Sequence, residues 1–352
     1  MLDRNTETWD CGARSQSSSA ATSGACSELL LNDVTLQGAS EREMSKRIDF
    51  AKERRAQGRL LNSAVRELAA LIQPVAHQHG IDLQTRLDEA SARKSEERRL
   101  LAERLQESVV PLFIRDRDGQ PDRIGSCVLV RLDSDFFAFT AAHVIRDAGF
   151  APLFAPSEGR GGKLLPLPPC TAHLSCPGSD NDLDVGVLVL PARQLGPFQQ
   201  RIFLAGTEID QDDRSDDQGL TSFYLVLGYS ASRTQVKVSR AKRHIHQRSF
   251  HYSTYPVDGA EYLQEKMSQA DHIVLDFDYK EIVIKGTRVN PPKLQGVSGG
   301  GVFHISRKTQ RGPLVAIATQ NRRRSRLIVG TRIKHFLAMV RELKTISPSR
   351  TS

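Results

Sequence analysis

Gly125-Ser126-Cys127-Val128-Leu129-Val130-Arg131-Leu132, separated by three residues from Phe136-Phe137-Ala138-Phe139-Thr140, decides the fold class. Both runs are short, apolar and rich in β-branched or aromatic residues, which favours strands over helix. Upstream, Val109-Val110-Pro111-Leu112-Phe113-Ile114 reads as another strand, and Asp118-Gly119-Gln120-Pro121 as a turn. Downstream the series continues at Val185–Leu190, Phe223–Leu227, Val236–Val238, Ile273–Phe277, Ile282–Ile284, Gly301–Ile305 and Leu314–Thr319. Many short strands with turns between them, and little helix, predict a mainly β barrel or sandwich. A helix from about Lys334 to Lys344 closes the chain.

Before Ser108 the pattern is different. Residues 1–37 are rich in Ser, Thr, Ala and Gly, and are expected to be a disordered tail, because such a stretch buries too little to offset its ordering entropy. Residues 38–107 predict an α-helical hairpin. Ser40 and Glu43 suit a capping box, and Leu61, Val65, Leu68, Ile72 and Val75 make one apolar stripe. Pro74 and Gly80 suit the end of that helix. A second helix begins near Asp82, with Leu83, Leu87, Ala90, Leu101 and Leu105 on its inner face. The hairpin reads either as an arm for a protein partner or self-association, or as an extension packed on the main domain, 108–345.

Bulk properties bound the class. The chain has 352 residues, 39% hydrophobic and 26% charged, which is globular composition. Its net charge of +8 is spread along the chain rather than gathered in one stripe. No apolar run is long enough to cross a bilayer, and Met1 to Thr8 lack the apolar core of a signal peptide. Five cysteines, at 11, 26, 127, 170 and 176, lack framework spacing and read as reduced thiols in a cytoplasmic protein.

Three stretches carry chemistry. Lys293-Leu294-Gln295-Gly296-Val297-Ser298-Gly299-Gly300-Gly301 has the form G-x-S-G-G and runs into a strand. A serine among glycines can present its hydroxyl while nearby N–H groups converge on one spot. Phe139-Thr140-Ala141-Ala142-His143 ends a strand in small residues and delivers a histidine. Asn181-Asp182-Leu183-Asp184-Val185-Gly186 sets an acid at the entrance of an apolar strand. Taken singly, each also fits a turn or an ordinary strand end.

Together, in the order His, Asp, Ser, they resemble the trypsin/chymotrypsin-like serine peptidases. The resemblance covers about Val109 to Leu343 and includes Val315-Ala316-Ile317-Ala318-Thr319, similar to the family's strand beside bound substrate, and Gly330-Thr331-Arg332-Ile333 before the last helix. It implies two six-stranded antiparallel β-barrels, residues 108–195 and about 220–333, with the site between them. It implies a serine endopeptidase acting on protein or peptide through Ser298 as nucleophile, His143 as base and Asp184 as its orienting acid, without a cofactor or metal. The N–H groups of Gly296 and Ser298 would bind the oxyanion, an effect worth about 3–4 kcal/mol per donor. Asp184 is preferred to Asp182 because the family places a small residue two positions after the acid, and Gly186 fits.

The departures are also informative. Secreted members carry an acid just before the serine, paired with an N-terminus created by zymogen cleavage; here Val297 stands there, so control by another route is expected, through the helical arm. Pro292 occupies the place where an acid selects Lys or Arg in the digestive members, and Thr319, Gln320 and Asn321 are expected along the substrate. The competing class is an inactive protease-fold protein that binds peptide or nucleic acid. The basic run Arg233, Lys237, Arg240, Lys242, Arg243 and Arg248 could serve nucleic acid, but reads better as a solvated strand face, as does the Arg322 to Arg326 loop. His244 and His246 place two imidazoles on one strand face, as metals can use, but no third ligand is evident except His251 or His272, and the Asp210 to Asp217 cluster lacks the spacing of a calcium loop.

Overall fold

The computed structural model describes Glu67 and residues 83–346, except 150, 159–160, 168–169, 176–182, 199–200, 211–221, 231–243, 247–248, 278–281, 285–286, 290–293 and 307–311. The chain divides into two units, Met1–Leu83 and Gln84–Ser352. The expected tail and the first helix of the hairpin lie outside the described residues. Its second helix is α1, Leu83–Gln106. Leu105 is fully buried against the β core and Leu101 packs beside it, whereas Leu100 faces out.

The rest of the second unit is mainly β. The strands are β1 (Val109–Arg115), β2 (Pro121–Leu132), β3 (Asp135–Thr140), β4 (Phe154–Glu158), β5 (Gly161–Pro166), β6 (Thr171–Leu174), β7 (Gly186–Leu190), β8 (Leu204–Ala205) and β9 (Ser222–Gly228). They continue as β10 (His244–His246), β11 (Phe250–Thr254), β12 (His272–Asp276), β13 (Ile282–Ile284), β14 (Thr287–Val289), β15 (Gly301–Ser306), β16 (Leu314–Arg322) and β17 (Leu327–Arg332). Among the described residues three further α-helices are α2 (Ala142–Asp147), α3 (Gly259–Gln264) and α4 (Ile333–Ile346).

The first sheet has the order β10-β5-β4-β1-β2-β3-β7-β6, with β8 added parallel to β2. The second has the order β11-β9-β15-β16-β17-β12. Beyond β11 the chain reaches back to β12: Pro256 bridges Leu275, Asp276 N–H donates to Tyr255 O (3.2 Å) and Val257 N–H to Val274 O (3.0 Å). The second sheet therefore curls into a half-barrel whose two edges meet. The first does not close; among the described residues its end strands β10 and β6 are not paired with each other. Two closed six-stranded barrels are thus not what the described strands form. The reason lies at an edge: β5 opens with Gly161-Gly162, and β10, from much later in the chain, pairs with it (Ile245 opposite Gly162) instead of staying with the second sheet.

Continuous apolar strands make sense in this arrangement, because many strands are buried on both faces. In β2, Cys127 and Leu129 point into the first sheet's own core, while Val128 and Val130 point into a shared core. In β9, Tyr224 and Val226 serve the second sheet's core while Phe223, Leu225 and Leu227 join the shared one. The period of two divides each strand between the two layers. Ile333, Phe336, Leu337 and Val340 on one face of α4 complete the shared core, with Phe336 and Phe139 ring centroids 5.4 Å apart.

Among the described residues no helix is long and apolar enough to cross a membrane.

Candidate active site

β3 ends at Thr140, and Ala141 turns the chain into the six-residue helix α2. The small residues before His143 are required by packing. Ala141 and Ala142 are fully buried, and a Cβ on Gly186 would come within 3.2 Å of the Ala142 backbone. A larger side chain at either position would push helix and strand apart. This is the physical content of the small residue expected two positions after the acid.

Sheet register then brings His143 and Asp184 side by side. β3 and β7 are antiparallel with Thr140 opposite Gly186, so three residues past one strand and two before the other converge. His143 Nδ1 lies 2.5 Å from Asp184 Oδ2, and the His143 backbone N–H donates to Asp184 Oδ1 (2.9 Å). Two bonds from one residue fix both the position of the carboxylate and the plane of the ring. A charged carboxylate can only accept, so Nδ1 carries a proton, and in the neutral ring Nε2 is then the nitrogen with the lone pair. Asp182 lies outside the described residues.

The acid is itself held. Ser175 Oγ donates to Leu183 O (2.6 Å) and accepts from Val185 N–H (3.0 Å), which pins the residues on both sides of Asp184. Arg146, one helical turn beyond His143, reaches Asp184 Oδ1 (3.4 Å) and Ser175 O (3.2 Å). Burial works against the charged form of Asp184. The His143 ring, with its hydrogen bond and charge, the His143 N–H and Arg146 outweigh that, and the carboxyl is held below its ordinary range.

Ser298 sits at the end of the second sheet, in two consecutive turns leading into β15. Val297 N–H closes the first on Leu294 O (2.9 Å), and Gly300 N–H closes the second on Val297 O (2.8 Å). Gly296 and Gly299 are the third residues of these turns, with φ of 87° and 85°, a conformation that makes glycine the favoured residue. The loop is tied to β16 by Gly299 N–H to Ala318 O (2.7 Å) and Ala318 N–H to Gly300 O (2.8 Å). Val297 is buried in the second sheet's apolar core. Among the described residues, the N–H groups of Gly296 and Ser298 have no acceptor. Gly296 is buried, where an unpaired N–H is uncommon, so these two donors suit an external oxyanion.

The serine loop and the histidine helix meet at one point. A Cβ placed on Gly125 would lie 2.6 Å from Val144 Cγ1 and 3.1 Å from Ser298 O, so the residue after His143 and the serine backbone flank the same glycine. Ser126 N–H donates to Ser298 O (2.8 Å). No hydrogen bond joins Ser298 Oγ to His143 in this structure. Both side chains are half-exposed.

Thr319, Gln320 and Asn321 lie on β16, just beyond the tie to the serine loop. A bulge between Ala318 and Gln320 turns Thr319 inward, where its hydroxyl meets Val329 O (3.3 Å) and Thr331 Oγ1 (3.4 Å). Gln320 is half-buried, with its Oε1 accepting from Arg322 Nε (3.0 Å), and Asn321 is exposed. Pro292 and the basic residues 233–243 and 248 lie outside the described residues. His244 and His246 belong to the first sheet, whereas His251 and His272 belong to the second. Among the described residues no three His, Cys, Asp or Glu side chains are placed to hold a metal.

Sequence reasoning missed Arg146, Ser175 and Ser126. Arg146 had a usable signal, its i+3 spacing from His143 on a helix. Ser126 had a weaker one, a lone hydroxyl at the head of the buried apolar run Cys127–Val130.

No model of a known protein family matches the chain, and no curated protein matches it significantly.

Proposed function

We propose that this chain is a serine endopeptidase of the trypsin/chymotrypsin type, its two sheets being an open and a nearly closed variant of that family's paired barrels. The observation that carries the reading is the doubly bonded His143–Asp184 pair, set by strand register beside a serine loop with two N–H groups that have no acceptor among the described residues. His143 Nε2 would take the proton of Ser298 Oγ as the oxygen attacks a peptide carbonyl. The resulting oxyanion would accept from Gly296 and Ser298 N–H. The imidazolium, stabilised by Asp184, would return the proton to the leaving amine, and water would release the acyl group by the same route. None of these steps calls for a cofactor.

The absent Ser298–His143 bond favours one competing reading, a protease-fold protein that binds peptide without turning it over. Working hydrolases often close such contacts only around substrate. Incubation of an unfolded protein substrate with the full chain separates the two. The endopeptidase reading expects internal cleavage that Ser298→Ala and His143→Ala abolish. Substrate bound but intact after prolonged incubation, or cleavage persisting in Ser298→Ala, overturns it.

A further inference from the structure

Val297 stands where an acid would anchor the serine loop in chains activated by cleavage, which leaves open what shapes the loop. The structure gives an answer in Ser126 of β2. Its side chain is completely buried at the junction of the two sheets. Its Oγ donates to Gly296 O (2.8 Å) and accepts from Tyr229 N–H (3.1 Å). Its backbone N–H donates to Ser298 O (2.8 Å), and its own carbonyl accepts from the Thr140 hydroxyl (2.7 Å).

One residue of the first sheet therefore grips two carbonyls of the loop, at Gly296 and at Ser298. Those carbonyls bracket Val297 and the peptide that carries the Ser298 N–H. Gly296 O belongs to the peptide that follows the Gly296 N–H, so the grip anchors the Cα from which that N–H extends, with φ at 87°. The peptide that carries the Ser298 N–H lies between the two gripped ones, and its own carbonyl, Val297 O, accepts from Gly300 N–H (2.8 Å), so it cannot flip without leaving a buried polar group unpaired. Val297 adds a second anchor from the other side, its buried side chain packing with Leu294 and Val302 in the second sheet's core.

We propose that Ser126 is a positioning residue that holds the Gly296 and Ser298 N–H groups in their acceptor-ready arrangement, so that the site is formed in the uncleaved chain. This rests on the assignment of Ser298 as the nucleophile. The hydroxyl serves as donor and acceptor at once, which alanine cannot replace and which a thiol replaces only weakly.

The test uses the full-length, uncleaved chain, a fluorophosphonate probe, and amide hydrogen exchange at Val297 and Gly300, whose N–H groups close the two turns. In Ser126→Ala, labelling of Ser298 should slow by about 10–100-fold, less than the loss of a whole oxyanion donor. Exchange at both amides should quicken while β7 and β17 stay protected, which reports an intact fold. Ser126→Cys should recover part of both readouts. Unchanged labelling and exchange in Ser126→Ala overturn the positioning role alone. A folded wild-type chain whose turns are protected but whose Ser298 never labels overturns the nucleophile assignment, and with it the claim that the uncleaved site is ready to act.

Discussion

Substituting Gly299 by alanine tests the packing of the serine loop quantitatively. Gly299 has φ 85°, and a Cβ there would lie 1.9 Å from Ser126 O and 2.3 Å from Thr140 Oγ1, against an ordinary contact of 3.4 Å or more. The first obstacle is a backbone carbonyl of β2, which cannot swing aside as a side chain would. Left-handed backbone strain in a residue with a Cβ costs about 1–2 kcal/mol. Forcing a methyl group into a filled site costs about 1–3 kcal/mol more. Gly119 supplies the control: its φ is 71°, but nothing lies within 4 Å of a Cβ there. Gly119→Ala should therefore lose only the strain, about 1–2 kcal/mol, and Gly299→Ala about 2–5 kcal/mol. Urea unfolding followed by circular dichroism measures both, and fluorophosphonate labelling of Ser298 measures the site. Labelling should fall by about 100-fold in Gly299→Ala, because displaced N–H groups no longer meet the oxyanion, and stay unchanged in Gly119→Ala. Equal destabilisation of the two variants, with Gly299→Ala labelled at the normal rate, would refute the close approach and the geometry built on it.

Asp184→Asn should lower substrate turnover by about 10⁴-fold, because the amide favours the wrong imidazole tautomer. Its stability cost should depend on pH. A carboxyl held below its unfolded value stabilises the fold above that value, about 3.9, and loses this contribution as pH falls toward its folded value. The difference in stability between wild type and Asp184→Asn should accordingly shrink below about pH 4 in acid titration of the unfolding midpoint. Arg146→Gln removes a cation from Asp184, so the carboxyl's titration, followed by carbon NMR, should move to higher pH; an unmoved titration would show that the 3.4 Å contact carries no weight. Burial pushes the Cys127 thiol up to about 12, so at pH 8 it should resist thiol reagents in the native chain and react once the chain is unfolded.

The local constellation was legible because close packing writes itself into residue size. Ala141, Ala142 and Gly186 are small since a helix start meets a strand start there, and they flag His143 and Asp184 from either side. Strand existence was legible too, since β1, β2, β3, β7, β9, β12, β15 and β16 are apolar on both faces. Strands with mixed composition, such as β4 to β6 and β11, gave no such signal. Which strands pair was hidden as well. Nothing in His244-Ile245-His246 says that it crosses to β5, because pairing there is made by backbone groups against a glycine pair. Ser126 was opaque for a related reason. Three of its four partners, Gly296, Ser298 and Tyr229, offer only backbone atoms, which every residue has; Thr140 alone brings a side chain. Thr319 was assigned correctly to its strand, but the bulge that turns its hydroxyl inward leaves no mark in composition.

The central claim is that Ser298 is a nucleophile activated by His143. Mass spectrometric mapping of a fluorophosphonate adduct on the folded full-length chain tests it most directly. The account predicts one adduct, on Ser298, that is lost in His143→Ala although that variant remains folded. A folded wild-type chain without the adduct, or one modified equally well in His143→Ala, would contradict it.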